Sequence, residues 1–255
     1  MWGAAAVFTL GVLIGSPAFA HQFNNSDFLS YSQVEWGEDP TPTNIAGVLQ
    51  NNFDSVFAAD GDLLQVGLSS PSGYSLLFDS AEGIENFLPS GGIPGPLTVS
   101  LLDPIQSSAG ALGGEVVTLA LNVTFGDAGV IEGNLHIPFG DLILTGLSGD
   151  VAVFNGINVR SLLGDAETIL GGGPLPDPSL SYQDFFFLIN DVDQSFNTGP
   201  VSSFADTNLE LPPGAAPVPE TGGYSTLGDV LLLLGTVAVT PGRRIKAHLK
   251  RATPE

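Results

Sequence analysis

The chain has 255 residues, with 27 acidic and 6 basic side chains and a formal net charge of −21. Five of the six cations lie in the last 13 residues, so Arg160 is the only Lys or Arg among 26 acidic residues from His21 to Gly242. This charge argues against nucleic acid or anionic lipid as a partner of the main domain, because both require a surface of Lys and Arg. The absence of cysteine excludes disulfide scaffolds, thiolate zinc sites and thiol nucleophiles.

Residues 1–20 have the pattern of a secretory signal peptide. An apolar run of 12 residues is followed by Ser16-Pro17 and then by small residues at Ala18 and Ala20, the positions that signal peptidase reads. The run is too short to cross a bilayer, which takes about 20 apolar residues. We therefore expect export of the protein and cleavage by signal peptidase before His21.

Residues 21–211 predict one acidic globular domain that begins with strands. The segment from Leu63 to Phe78 has two apolar runs around Ser-Pro-Ser-Gly, a turn signal that predicts a hairpin. From Glu115 to Phe125 apolar residues alternate with small or polar ones, which predicts a strand with one face on the core. Two further segments bounded by Gly, Pro and Asp are strand candidates, Leu97 to Leu102 and Asp141 to Leu147.

Two amphipathic helices are expected after the strands. From Val159 to Leu170 the apolar residues follow a helical period, and three consecutive glycines then end the helix. Ser181 is placed to cap a second helix, with Asp184 three residues later. Strands first and helices last predict an α+β domain with a mainly antiparallel, sandwich-like sheet followed by the two helices.

The C-terminal end has three parts in a fixed order. Residues 212–224 form a Pro/Gly-rich linker that contains Val218-Pro219-Glu220-Thr221-Gly222, residues 225–241 are hydrophobic, and residues 242–255 are basic, with Arg243 and Arg244 at their start. An apolar segment followed by cations is a stop-transfer signal, because the cations resist translocation. The alternative is an ordinary C-terminal helix packed on the domain, with the basic residues near its C-terminus.

This tail resembles the C-terminal sorting signals of exosortase substrates, the PEP-CTERM group and its variants that contain Val-Pro. The resemblance rests on Val218, Pro219 and Glu220 before the hydrophobic segment and on the Arg pair after it. Thr221 departs from the commonest form, in which a second proline stands there. The resemblance implies recognition by an exosortase-like membrane protease, so the protein meets the membrane only through this segment before processing. Read as a variant of LPxTG, the same motif resembles a sortase signal instead.

Catalytic and zinc chemistry find little support in the sequence. The three histidines, His21, His136 and His248, are far apart in the chain, whereas zinc needs three or four nitrogen or sulfur ligands. A serine-histidine-acid triad would depend on His136, and Gly146-Leu147-Ser148-Gly149 does not complete a G-x-S-x-G elbow. We interpret His136 as a strand residue.

Calcium binding by oxygen ligands and sugar binding by aromatic side chains are two weaker hypotheses. The densest calcium candidates are Asp60 with Asp62 and the run from Asn190 to Asp193, but neither matches an EF-hand loop, so a solvated turn and the polar face of a helix are the competing interpretations. Carboxylate pairs at glycosidase spacing are uninformative among so many acids. Three aromatic residues are candidates for stacking on sugars, Tyr31, Trp36 and Tyr74.

These observations favour an exported surface or extracellular-matrix protein, processed at its C-terminus, with no catalytic activity and no cofactor. Extracellular polysaccharide is a candidate partner of its mature domain. Two alternatives remain open: a secreted glycan-binding or glycan-hydrolysing protein with the same tail, and a cell-wall protein anchored by a sortase.

Overall fold

The computed structural model describes residues 23–215. Seven α-helices lie in this part: α1 Gln33–Trp36, α2 Ile45–Phe57, α3 Ala81–Phe87, α4 Ala111–Asp127, α5 Val159–Leu170, α6 Tyr182–Asp193 and α7 Ser203–Asn208. The strands of the same part are β1 Leu64–Gly67, β2 Ser75–Phe78, β3 Leu101–Leu102, β4 Ile143–Leu144 and β5 Leu209–Glu210. The domain therefore mixes helix and strand, with helix the larger share.

The hairpin predicted between Leu63 and Phe78 is confirmed. Strands β1 and β2 pair antiparallel, with Leu64 opposite Phe78 and Gly67 opposite Ser75. Strand β3 adds to the other edge of β2 in parallel. Only two residues of the strand predicted from Leu97 to Leu102 join this sheet.

The predicted strand from Glu115 to Phe125 is wrong, because these residues lie inside helix α4. The alternation of apolar and small residues predicted a strand wrongly, because nearly every side chain of this segment is buried, on all sides of the helix. A helix buried all round shows no amphipathic stripe, and small residues such as Ala120 between the larger ones then imitate a period of two. Length is the better guide, since 17 residues exceed an ordinary strand.

The prediction of a mainly antiparallel, sandwich-like sheet fails for the same part of the chain. Between residues 23 and 215 the strands form a three-stranded sheet, β1-β2-β3, and a two-stranded ladder, β4-β5. Of the strand predicted from Asp141 to Leu147 only β4 forms, and it pairs with β5. A 3₁₀ turn precedes β4 at Phe139–Asp141, and Gly146 turns the chain after it with a φ of 64°.

Both predicted amphipathic helices are confirmed. Helix α5 covers Val159–Leu170, and Gly171 follows at its C-cap. Helix α6 begins after Ser181, whose side chain accepts the backbone N–H of Asp184, as the capping pattern predicts. The helix termini are thus set by local side-chain chemistry that is visible in the sequence.

Helix α4 is the centre of the core. It packs against α1, α5, α6 and β1, and the indole of Trp36 in α1 meets the ring of Phe125 in α4 edge-on at 5.2 Å between centroids. No helix of the described part, residues 23–215, has the length and apolar character needed to cross a membrane. The apolar surface of α4 is thus covered by the other elements of its own domain.

Candidate functional site

A buried polar network lies where helices α1, α4 and α6 meet. Its carboxyl groups are Glu115 in α4, 3% exposed, and Asp193 in α6, 0% exposed. Amide side chains surround them: Gln33 Nε2 donates to Glu115 Oε1 at 2.6 Å, and Asn190 Nδ2 donates to the same oxygen at 3.0 Å. The network therefore joins three helices through polar contacts inside an apolar core.

Asn122 of α4 is the centre of this network. Its Oδ1 accepts hydrogen bonds from the backbone N–H of Tyr31 at 3.0 Å and from Trp36 Nε1 at 3.1 Å. Its Nδ2 donates to the Tyr31 carbonyl and to Asp193 Oδ1, both at 2.9 Å. An asparagine amide has two donors and two acceptor sites, so this side chain uses its complete hydrogen-bonding capacity.

The two carboxyl groups lie close enough for each to influence the protonation of the other. Burial is the main cause that raises the pKa of Glu115 above its ordinary value, and burial together with the charge of Glu115 raises the pKa of Asp193 well above its own. Asp193 Oδ2 has no hydrogen-bond partner among the residues described, so no donor stabilises the ionised form at this oxygen. Protonation of one of the two groups avoids a buried pair of like charges.

Close backbone approach lets Gln33 reach this network. A Cβ atom at position 114 would collide with Gln33 Oε1, and only glycine avoids the collision. The same oxygen accepts the backbone N–H of Ser90 at 3.0 Å. Gly114 thus allows Gln33 to connect the segment after α3 to Glu115.

The buried network cannot contact a ligand, since Glu115 and Asp193 are almost fully inaccessible. Perturbed carboxyl pairs often mark active sites, but such a site must also be reachable by its substrate. We therefore assign this network to stability, and its chemical consequence is a dependence of folding on pH.

An accessible candidate lies elsewhere, in a groove of about 380 Å³ between the end of α2, strand β1, α4 and α5. Its polar residues are Asp60, Gln65, Thr124 and Glu167, and apolar residues such as Leu163 form the remaining walls. We call it the acidic groove. Its volume falls within the range of about 300–1,000 Å³ that is usual for small-molecule sites.

Glu167 is the distinctive group of the acidic groove. Burial alone raises the pKa of Glu167 from 4.5 to about 7. The described residues offer its carboxyl no salt bridge or hydrogen bond, so nothing compensates for the lost hydration. A carboxyl in this state favours protonation near neutral pH or the arrival of a positive charge.

The calcium candidates Asp60 and Asp62 are not joined by further metal-binding side chains among the described residues. Asp60 ends a 3₁₀ turn and lines the acidic groove, while Gly61 and Asp62 continue the turn with positive φ angles of 77° and 60°. Within residues 23–215 no group of three His, Asp or Glu side chains could hold a metal ion. The residues of this turn therefore form no metal centre with other described side chains.

The run from Asn190 to Asp193 is neither a calcium loop nor simply the exposed face of a helix. It forms the last turn of α6, with Asn190 and Asp193 turned towards Glu115 and Asn122. Asp191 points to another part of the surface, where it lines a separate cavity. The interpretation as a polar outer face is therefore wrong for Asn190 and Asp193.

His136 is not a strand residue. It lies in a turn with a φ of 54°, and its Nδ1 contacts Glu132 at 2.8 Å. The histidine side chain is 73% exposed. The apolar neighbours Leu135 and Ile137 suggest a strand, but they belong to an irregular loop.

The three aromatic residues proposed to stack on sugars differ in how far their side chains are exposed. Trp36 is fully buried and donates to Asn122, so it cannot contact a ligand. Tyr31 is only partly exposed, and Tyr74 is 43% exposed. Of the three, Tyr74 alone presents a largely open ring.

The remaining predicted site residues lie outside the described residues, and their placement stays a prediction. They are Ala18 and Ala20 at the signal cleavage site, Val218, Pro219, Glu220, Thr221 and Gly222 in the sorting motif, and Arg243 and Arg244 after the hydrophobic segment.

Sequence reasoning missed the network, although a signal was present. Glu115, Thr118 and Asn122 follow at i, i+3 and i+7 within an apolar run, so they share one face of a helix. Read as a strand, the same residues fall on different faces, and the polar stripe disappears. Glu167 has no comparable signal, because its burial depends on the contacts of α5 with α4 and β1.

Comparison of the chain with known protein families, curated proteins and solved structures finds no match.

Proposed function

We propose that this chain is an exported surface or extracellular-matrix protein whose C-terminal segment is recognised by an exosortase-like membrane protease. The observation that carries the proposal is the order of the tail: Val218-Pro219-Glu220, then a hydrophobic segment, then Arg243 and Arg244. The hydrophobic segment and the cations hold the tail in the membrane while the protease acts at the motif outside. The mature domain then functions without catalysis.

The end of the folded domain supports this arrangement. Leu209 of β5 is a buried core residue that pairs with Leu144 of β4. The Pro-rich segment follows β5 directly in the sequence and leads to Val218. A protease at the membrane can therefore remove the tail without removing a core residue of the described domain.

The charge distribution also supports an exported acidic domain. Arg160 is held by two carboxylates: Nη2 donates to Asp127 Oδ1 at 2.8 Å and to Asp141 Oδ1 at 3.1 Å, and Nη1 donates to Asp127 Oδ2. These carboxylates raise the pKa of the Arg160 guanidinium. The one guanidinium of the domain is thus committed to internal contacts, which leaves an acidic surface that resists self-association through charge repulsion.

Replacing Val218, Pro219 and Glu220 together with alanine tests the sorting proposal. We expect the variant to accumulate as a membrane-associated precursor that retains residues 225–255, because the protease no longer recognises the tail. Immunoblotting with an antibody against the last residues, on separated membrane and extracellular fractions of the native host, measures this outcome. Equal release of wild type and variant would contradict the proposal.

Thr221→Ala is the matched control that separates the two proteases. A sortase joins the threonine of its motif to the cell wall, whereas the resemblance to exosortase substrates places no requirement on Thr221. We therefore expect Thr221→Ala to be processed like the wild type. Loss of processing in this variant, with a cell-wall fragment on Thr221 of the wild type, would favour the sortase alternative.

A further inference from the structure

We propose that the acidic groove binds an alkylammonium group, the positively charged end of an aliphatic amine. The inference depends on the groove between α2, β1, α4 and α5 and is independent of how the tail is processed. Three features support it: the shape of the groove, the chemistry of its lining, and the absence of a cation near Glu167 among residues 23–215.

The shape suits a short aliphatic chain. Ala120 with Thr124 on α4, and Leu163 with Glu167 on α5, form two i, i+4 pairs along the sides of the groove. Leu63 and Leu64 lie at one wall, where the chain enters β1. The apolar groups of these residues can cover methylene groups, since burial of apolar surface is favourable.

The polar groups of the lining are almost entirely acceptors. Glu167 and Asp60 supply carboxyl oxygens and Thr124 supplies a hydroxyl, while Gln65 has its amide nitrogen committed to Ser69 Oγ at 2.8 Å. Glutamine committed in this way offers its carbonyl oxygen to a ligand. An ammonium group has three donors and no acceptor, which complements this lining better than an anion or a neutral acceptor does.

No cation of the described domain reaches Glu167. Arg160 lies on the same helix seven residues earlier, about 10 Å along the helix axis, and its guanidinium is bound by Asp127 and Asp141. His136 contacts Glu132 in a loop outside the groove. Glu167 thus remains a half-buried carboxyl without a counter-charge, and an incoming ammonium group supplies one.

Titration of the purified full-length chain with 1,5-diaminopentane, followed by calorimetry at neutral pH, tests the proposal. We expect saturable binding that Glu167→Gln weakens at least fivefold. Asp165→Asn is the control, because Asp165 is an exposed carboxylate two residues away on α5 that does not line the groove. At neutral pH Asp165→Asn removes at least as much negative charge as Glu167→Gln, because the Glu167 carboxyl has a pKa of about 7. General attraction of amines to an acidic protein would therefore fall at least as much in Asp165→Asn.

Two further probes define the ligand. 1-Pentanol has the same carbon chain without the charge, and we expect no binding of it. Nα-acetyl-lysine N-methylamide presents the lysine side chain; binding of it as tight as that of the diamine assigns the groove to lysine side chains, whereas weaker binding assigns it to free amines. Absence of saturable binding by both amines, or equal weakening in Glu167→Gln and Asp165→Asn, would overturn the proposal.

A spectroscopic readout separates a binding role of Glu167 from a merely structural one. An ammonium group beside the carboxylate favours its ionised form, so the pKa of Glu167, about 7 in the free protein, is expected to fall when the diamine is bound. Carboxyl carbon shifts measured by NMR across the pH range report this change. An unchanged Glu167 titration at saturating diamine would contradict contact between the two groups.

Discussion

Replacement of Asn122 by leucine is expected to lower the free energy of unfolding by about 3–5 kcal/mol. Leucine has nearly the same size but removes all four hydrogen bonds of the asparagine amide. The substitution leaves the Trp36 indole N–H, the Tyr31 backbone groups and Asp193 Oδ1 without their partner. A buried polar group without a partner costs about 1–3 kcal/mol, and several are created at once.

Urea denaturation followed by the fluorescence of Trp36 measures this effect, because the indole donates directly to Asn122. Asn51→Leu is the matched control: Asn51 is an exposed residue of α2 that bonds only to Gly47 of its own helix, and we expect a change within about 0.5 kcal/mol. If Asn122→Leu stops the chain from folding, Asn122→Asp tests the same point, since it retains the acceptors and loses the donors to Asp193 and to the Tyr31 carbonyl.

A loss below about 1 kcal/mol for Asn122→Leu would contradict the role given to the network. It would mean that the three helices are held by apolar packing alone, with the polar groups tolerated rather than required.

The second large effect is a loss of stability as the pH rises from about 5 to 8. Burial raises the pKa of Glu115, Asp193 and Glu167 in the folded state, in the last case from 4.5 to about 7. The folded protein therefore holds protons that the unfolded chain has released. Their stabilising effect is fully present below the unfolded pKa values and is lost as the pH rises through the folded ones.

The side chains around Glu115 and Asp193 carry no positive charge that could reverse the expected loss of stability with rising pH. Gln33 and Trp36 of α1 are uncharged, as are Asn122 of α4 and Asn190 of α6. The nearby phenol of Tyr31 has a raised pKa, caused by burial and then by Glu35, so it stays neutral in this range. Ionising both carboxyls thus places two like charges in the core without a counter-ion.

Asp193→Asn isolates the contribution of the pair. The new amide nitrogen supplies a donor beside Glu115, and the remaining oxygen can still accept from Asn122. We expect this variant to be more stable than the wild type at pH 8, by on the order of 1 kcal/mol, and its urea midpoint to change less between pH 5 and 8.

Glu167→Gln serves as an independent second variant. It removes the raised pKa of Glu167 and is expected to reduce the dependence of the urea midpoint on pH, without affecting the Asp193 titration. A wild-type midpoint that rises from pH 5 to 8 would contradict the raised pKa values of the buried carboxyls, as would an Asp193→Asn variant less stable than wild type at pH 8.

The parts of the fold that sequence alone could predict are those fixed by local chemistry. Ser181 caps α6, Gly171 ends α5, and the turn between Leu63 and Phe78 makes a hairpin. Helix α4 could not be read from local periodicity, because its burial on every side removes the contrast between a polar and an apolar face. The prediction of a strand there led directly to the wrong sandwich-like sheet.

The candidate sites depend even more on tertiary structure. Glu115 and Asp193 are far apart in the sequence, and only the packing of α4 on α6 makes their carboxyl groups neighbours. The sequence makes Asp60 a calcium candidate, yet its position in the same groove as Glu167 could not be foreseen. Among so many acidic residues, burial rather than identity distinguishes those with unusual chemistry.

Mass spectrometry of the mature protein, taken from the surface or matrix of its native host, tests the removal of the C-terminal tail after export. We predict an N-terminus at His21 and no peptide beyond about Leu227, because signal peptidase and the exosortase-like protease have removed both ends. Recovery of mature surface protein that ends at Glu255 would contradict it.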